Sequence, residues 1–199
     1  MMGFLAVVLA YFIGGIPFGY VLVRLTTGKD VRAAGSGNIG ATNVLRTTGR
    51  AAGVATLLLD VAKGYFAVWL AAKWSGDDAL WMSLAALAVM AGHAFPIFLK
   101  FQGGKAVASF IGAFLYLTPL PLAAVLVLFV ITVAVTKAIS AGSILAAGTF
   151  PLGVWIIDHP AAPVVVASLI AGAFVVFRHK ANIERLRAGT ENQFRWKKK

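Results

Sequence analysis

Hydrophobic residues fall in long blocks along this chain, with neither the strict alternation of a strand nor the narrow stripe of a surface helix. Near-continuous apolar runs cover residues 4–23, 53–72, 79–97, 106–118, 120–136, 138–157 and 161–177. A bilayer core roughly 30 Å thick takes about 20 helical residues, so most of these runs predict membrane spans. The shorter ones have to stand close to upright or sit where the bilayer is thinner. The expected fold is all-α, a polytopic membrane helix bundle of about seven transmembrane helices. The connectors are short and carry turn formers, as in "KWSGDDA" after the second run, "TPLP" at 118–121 and "DHPAAP" at 158–163. None could house a soluble domain, no internal repeat is visible, and residues 1–199 read as one integral membrane domain.

Composition agrees with a lipid solvent: the 199 residues are 60% hydrophobic and only 13% charged. Met1 to Gly3 carry no side-chain charge and the first basic residue, Arg24, comes after the apolar run, so the first run reads as a retained span and not as a cleaved signal. With no cysteine, disulfides, thiolate metal sites and a Cys nucleophile are excluded. Three scattered histidines leave little scope for a metal site, and neither metal nor cofactor is expected.

A net charge of +11 would suggest nucleic acid in a soluble chain, but its placement changes the meaning. When sides alternate from the first span, sixteen of the eighteen Lys and Arg fall on one face and Lys73 alone on the other, with Lys63 inside a span. The positive-inside rule makes the first face cytoplasmic, with the amino terminus outside and the carboxyl terminus inside. Loop bias therefore accounts for the charge, and no nucleic-acid partner is expected.

Three polar clusters share that face. In "GSGNIGATNVLRTTGRAAG", Gly35, Gly37 and Gly40 would turn backbone amides toward a ligand. Ser36, Asn38, Thr42 and Asn43 add neutral hydrogen-bonding groups, and Arg46 adds a planar cationic fork, a mixture that suits phosphate or carboxylate. For any single residue a helix cap or a turn is the plainer reading, but a cap needs one such residue and not a dozen. In "GHAFPIFLKFQGGKAVAS", Gly103, Gly104 and Lys105 open an apolar helix and resemble an anion site at a helix amino terminus, without Walker spacing. His93 there is a packing histidine or a ligand contact, and Lys105 alone could be a snorkelling interfacial lysine. In "RHKANIERLRAGTEN", His179 and Asn182 lie three apart, Arg178 and Arg185 seven apart on one face, and Gly189 ends the helix ahead of Glu191. The tail Lys197 to Lys199 reads as a contact for anionic lipid. In "DVAKG", Asp60 and Lys63 at i and i+3 within a span should pair with each other or face a polar cavity.

Two glycine-rich cationic loops and a basic helix on one face could hold two phosphates, and chemistry without metal or Cys has to rest on positioning and charge stabilisation. An organic-phosphate carrier and a non-catalytic anionic-lipid binder are the alternatives from other classes. A carrier would line a route across the membrane with its polar groups, whereas here they gather on one side.

The same segments, with "SGNIGATNVLRTTG" the most specific, resemble the motifs of the PlsY family of bacterial acyl-phosphate:glycerol-3-phosphate acyltransferases, in order and spacing along essentially the whole chain. Gln102 stands where that family commonly has lysine, and Ala106 where it has glycine. The resemblance implies a seven-span enzyme of the bacterial cytoplasmic (inner) membrane, with its active site on the cytoplasmic face and a possible coupling to the enzyme that makes its donor. The reaction it implies is transfer of a fatty acyl group from acyl phosphate to the 1-hydroxyl of glycerol 3-phosphate, giving lysophosphatidic acid and inorganic phosphate in phospholipid synthesis. The H-x-x-x-x-D pair of other glycerol-phosphate acyltransferases is missing, since no histidine has Asp five residues on. On this basis Ser36, Asn38, Thr42 and Arg46 are expected to hold phosphate and the reacting carbonyl. Lys105 with Gly103 and Gly104 would hold a second phosphate, and His179, Asn182 and Glu191 would orient the glycerol. The donor's own phosphate would take the hydroxyl proton, with Ser36 as a covalent nucleophile left open.

Overall fold

The computed structural model of the chain describes residues 1–193, and the expectation for Lys197 to Lys199 lies outside them. Among the described residues ten α-helices follow one another: α1 (Met2–Gly15), α2 (Phe18–Thr27), α3 (Ala41–Thr47), α4 (Arg50–Ser75), α5 (Ala79–Ala94), α6 (Val107–Leu117), α7 (Pro119–Thr136), α8 (Ile139–Ile157), α9 (Ala162–Arg178) and α10 (Lys180–Arg187). Short 3-10 turns occur at Val31–Ala33 and Ile97–Leu99, and there is no strand among the described residues.

Among the described residues five stretches are long and apolar enough to cross a membrane, or six if the bent pair α9 and α10 counts as one span. The fourth apolar run gives α6, whose 11 residues make a helix only about 16 Å long at 1.5 Å per residue, short of a full crossing. The first run is split by Pro17, which cannot donate a backbone hydrogen bond and separates α1 from α2. Leu58, Val127, Val130 and Phe177 stand exposed on the outside of the helices, as side chains solvated by lipid do.

The chain forms two compact units, the first from Met1 to Leu117 and the second beginning at Thr118. In the first, α4 packs against α1, α5 and α6, and α1 packs along α5. Apolar side chains gain little by leaving lipid for each other, so small residues that admit close backbone contact hold such helices together. A Cβ on Gly14 or Gly92 would lie within 2.1 Å of a carbonyl oxygen across the α1–α5 seam, and one on Gly64 or Gly112 within 2.3 Å of one across the α4–α6 seam. In the second unit α8 packs between α7 and α9, and α10 touches α8 and α9.

Candidate functional site

In the first unit, Asn43 organises the loop that precedes and opens α3. Its buried amide nitrogen donates to the carbonyls of Val31 (3.2 Å), Ala34 (3.1 Å) and Asn38 (2.8 Å), and its Oδ1 accepts from the Ser36 amide at 2.8 Å. Val31, Ile39 and Val44 sink into an apolar cluster with Val23 of α2 and Leu99, which anchors both ends of the loop. Gly35 and Gly37 hold φ of 61° and 70° on either side of Ser36, a conformation that costs a side chain roughly 1 kcal/mol or more.

Two expectations change here. Asn43 spends its side chain on the loop backbone, so it shapes the site and does not face a ligand. Three of the loop amides are also spent: Ser36 on Asn43, Gly37 on the Ala34 carbonyl, and Gly40 on Asn38 Oδ1 at 2.8 Å. Gly40 keeps an ordinary φ of −75° and caps α3 without a side-chain bond, so neither Ser36 nor Asn38 is that helix's cap. Ser36 Oγ, the Asn38 amide nitrogen, Thr42 Oγ1 and the Arg46 guanidinium are left as the outward groups. Ser36, Thr42 and Arg46 are exposed, and the side chains of all three make no hydrogen bond or ion pair among the described residues. Asp30 and Arg32, which sequence reasoning passed over, brace the loop: the Arg32 guanidinium meets Asp30 at 2.7 Å and lies over the Tyr20 ring. The hydrogen bond from the Arg32 side chain, foremost, holds the Asp30 carboxyl below its usual range. The "DxR" spacing was its only sequence signal.

Asp60 and Lys63 of α4 are buried and paired at 2.7 Å, and Lys63 Nζ also donates to the Ile16 carbonyl at the break between α1 and α2, at 2.8 Å. His93 of α5 is buried as well, with Nδ1 3.6 Å from Asp60 Oδ1. An open apolar groove of about 400 Å³ runs beside this pair, lined by Ile13, Ile16, Phe18, Leu59, Lys63 and Phe66 among others.

The segment that carries Lys105 leads directly into α6, which starts at Val107, but the two glycines lie ahead of that helix's first amides. The Gly103 amide donates to the Ala94 carbonyl at 3.2 Å and the Gly104 amide to the His93 carbonyl at 3.0 Å, so these amides are tied to the end of α5 and are not free for an anion. Lys105 stays half-buried between them and the helix. Ala106 takes a φ of 61°, which explains why glycine suits this position: an L side chain pays about 1–2 kcal/mol in left-handed backbone.

In the second unit, α9 and α10 meet at a 56° bend whose corner is His179. The bend puts Arg178 and Arg185 on separate helices, so their expected common face is not formed. His179 and Asn182 are both buried, with His179 Nδ1 2.7 Å from the Val175 carbonyl. Gly189, at φ 68°, lets the chain turn back after α10 and brings Glu191 against it. Glu191 Oε1 accepts from Asn182 Nδ2 (2.8 Å) and from Ser140 Oγ of α8 (3.0 Å), and Oε2 accepts from Arg185 Nε (2.8 Å). Both carboxylate oxygens are thus engaged by protein, which makes Glu191 a clamp on Asn182. Ser140 was missed because a serine in an apolar helix carries no signal of its partner.

Burial pushes the Glu191 carboxyl up, but the hydrogen bonds from Asn182, Arg185 and Ser140 and the Arg185 charge together outweigh it and hold the group below its ordinary value of 4.5. A carboxyl depressed on folding stabilises the fold above its unfolded pKa, and that contribution fades as pH falls through the lower folded value. Thermal unfolding of the wild type and Glu191→Gln should therefore differ most at neutral pH and converge in acid below 4.5. A pH-independent gap would contradict the clamp.

Residues 4–189 match the family described as glycerol-3-phosphate acyltransferase. A glycerol-3-phosphate acyltransferase of Geobacter sulfurreducens is 47% identical over 187 residues, covering 94% of each chain. One of Desulforamulus reducens is 43% identical over 189 residues, covering 95% of this chain and 94% of that one. Among solved structures, PlsY, an integral membrane glycerol 3-phosphate acyltransferase, superposes in its glycerol 3-phosphate form with a TM-score of 0.93 at 33% identity, over 98% of this chain and 96% of that one. Its lysophosphatidic acid form gives 0.90 at 32%, with the same coverage.

Proposed function

Since the chain belongs to the glycerol-3-phosphate acyltransferase family, we propose that this integral membrane acyltransferase takes its acyl group from acyl phosphate and releases lysophosphatidic acid and inorganic phosphate. The observation that carries the reading is Arg46, an exposed cation without a protein partner among the described residues, displayed by α3 behind the loop that Asn43 holds in shape. Such a group is set out for an anion from solution, and a bidentate guanidinium suits a phosphate.

In the proposed reaction the 1-hydroxyl oxygen of glycerol 3-phosphate attacks the acyl carbonyl carbon. The bond from that carbon to the phosphate oxygen breaks, and the departing phosphate accepts the hydroxyl proton. Ser36, Asn38, Thr42 and Arg46 hold phosphate and the developing oxyanion. Lys105 holds a second phosphate, now by its side chain without the Gly103 and Gly104 amides. His179 and Asn182 orient the glycerol, with Asn182 set by Glu191. The groove beside Ile16 and Leu59 takes the acyl chain from the membrane, and its apolar lining supports that use. A mixed anhydride has a good leaving group, so no strong protein base is needed.

Residues 1–199 act as one acyltransferase domain in the bacterial cytoplasmic membrane, with the short α6 serving as a seventh span where the bilayer is thinner. Loop charge supports an outside amino terminus, a cytoplasmic carboxyl terminus and chemistry on the cytoplasmic face, where an acyl-phosphate-producing enzyme can feed it. Purified protein given glycerol 3-phosphate and palmitoyl phosphate should form lysophosphatidic acid and inorganic phosphate in equal amounts. Lysophosphatidic acid without matching phosphate would contradict the mechanism, and an acyl group trapped on Ser36 would replace direct transfer with a two-step route.

A further inference from the structure

The buried polar cluster of the first unit lies next to the Lys105 segment, and the contact between them is unusually close. A Cβ built on Gly104 would stand 2.1 Å from His93 Nε2, and one on Gly103 would stand 2.2 Å from the His93 carbonyl oxygen and 2.4 Å from the Pro96 ring. The imidazole therefore bears directly on the Gly104 backbone. Its other nitrogen faces Asp60 at 3.6 Å, and Asp60 is itself held by Lys63, which is anchored on the Ile16 carbonyl. From the break between α1 and α2, through α4 and α5, to the loop before α6, the groups form one continuous chain of contacts.

The loop at the end of that chain is not in a relaxed conformation. Lys100, Phe101 and Ala106 all take positive φ, of 53°, 63° and 61°. Backbone of this kind persists only where its surroundings over-determine it. The hydrogen bonds that the Gly103 and Gly104 amides donate to the carbonyls at the end of α5 hold the loop there, and the His93 ring lies against it. A charged pair buried at membrane depth is costly to keep, which calls for a role beyond packing.

We propose that His93 and Asp60 are positioning residues, which act through the Gly104 backbone to set Lys105 for its phosphate. The inference rests on the reading of Lys105 as a phosphate group holder. In it His93 touches no substrate, Asp60 orients the ring, and Lys63 keeps Asp60 in place.

The test is a double-mutant cycle in the full-length protein with kcat and KM measured for both glycerol 3-phosphate and palmitoyl phosphate. Lys105→Ala identifies the substrate whose KM depends on the lysine. His93→Ala is expected to raise the same KM, by about tenfold or more, since displacements near 1 Å have effects up to about 10²-fold. The double variant should stay within about twofold of Lys105→Ala alone, because a residue that acts through Lys105 has nothing further to lose. Gly104→Ala, which collides with the ring, should be impaired in the same way and be partly rescued when combined with His93→Ala. His93→Gln keeps most of the volume and serves the same cycle if the alanine variant does not fold. Losses that multiply across the cycle, or a His93 variant with wild-type KM for both substrates, would overturn the inference. A wild-type protein that forms no lysophosphatidic acid would instead strike the functional reading, so the two failures are read from different proteins.

Discussion

Arg46→Ala is expected to lower kcat/KM by about 10²–10³-fold, the range seen when one preorganised donor to a developing charge is removed, while the protein remains folded. The expectation of a large catalytic and a small structural effect follows from where the side chain sits. Arg46 is exposed on the seven-residue α3 and makes no ion pair or hydrogen bond among the described residues, so its removal leaves no buried partner behind. A lysine there should recover only part of the loss, because an ammonium cannot reproduce the planar fork that meets a phosphate through two nitrogens. Wild-type kcat/KM in Arg46→Ala, with an unchanged unfolding temperature, would remove this residue from the mechanism.

The opposite combination is expected at Asn43, where a nearly isosteric change should damage fold and activity together. In Asn43→Asp, the nitrogen that donates to Val31, Ala34 and Asn38 becomes an oxygen facing three carbonyl oxygens. Two N–H donors shared among three carbonyls are lost, at a net worth of about 1 kcal/mol for each hydrogen bond, and an acceptor is left buried among acceptors at a cost of about 1–3 kcal/mol, so a destabilisation of about 3 kcal/mol or more is expected. Gly35 packs directly onto Asn43 Oδ1 and the Ser36 amide bonds to it, so the loop that displays Ser36 would lose its shape. Activity should fall by about 10²-fold or more, as for a misplaced catalytic constellation. Thermal unfolding and turnover measured on the same preparation check this, and a variant with wild-type values for both would show that Asn43 does not organise the loop.

Asn43 also marks the boundary of what the sequence could reveal. That polar residues gather at 35–50 was legible because the rest of the chain is so apolar, and the spans were legible because lipid demands long uninterrupted helices. Which of those polar residues face outward was not legible, since Asn43 and Thr42 are adjacent and equally polar. The helical turn at Gly40–Asn43 buries one and exposes the other, and no periodicity extends far enough in a seven-residue helix to show it.

A similar limit applies to "GGK". Glycines before a lysine at the start of an apolar run look like an anion-binding helix start. Two backbone bonds to the end of α5, which lie nine and eleven residues away in sequence, take those amides, and local spacing cannot anticipate them. The bend at His179 was likewise hidden, because "VVFRHKANIERL" reads as continuous helix with no proline or glycine to interrupt it. The break at Pro17 did carry its signal in "GGIPFG", but the apolar run through it masked a division that matters for Lys63. Glu191 shows the converse case, in which the residue stands out in the sequence and its partners do not. The sequence supplies a carboxylate after a helix-ending glycine, while its three partners come from α8, α10 and the fold that gathers them.

The choice of donor tests the account most directly. Purified protein in detergent, given glycerol 3-phosphate with palmitoyl phosphate or with palmitoyl-CoA, should form lysophosphatidic acid from the acyl phosphate and none from the thioester. Lysophosphatidic acid from palmitoyl-CoA at an equal or greater rate would contradict a site built around two phosphates and a departing phosphate that takes the proton.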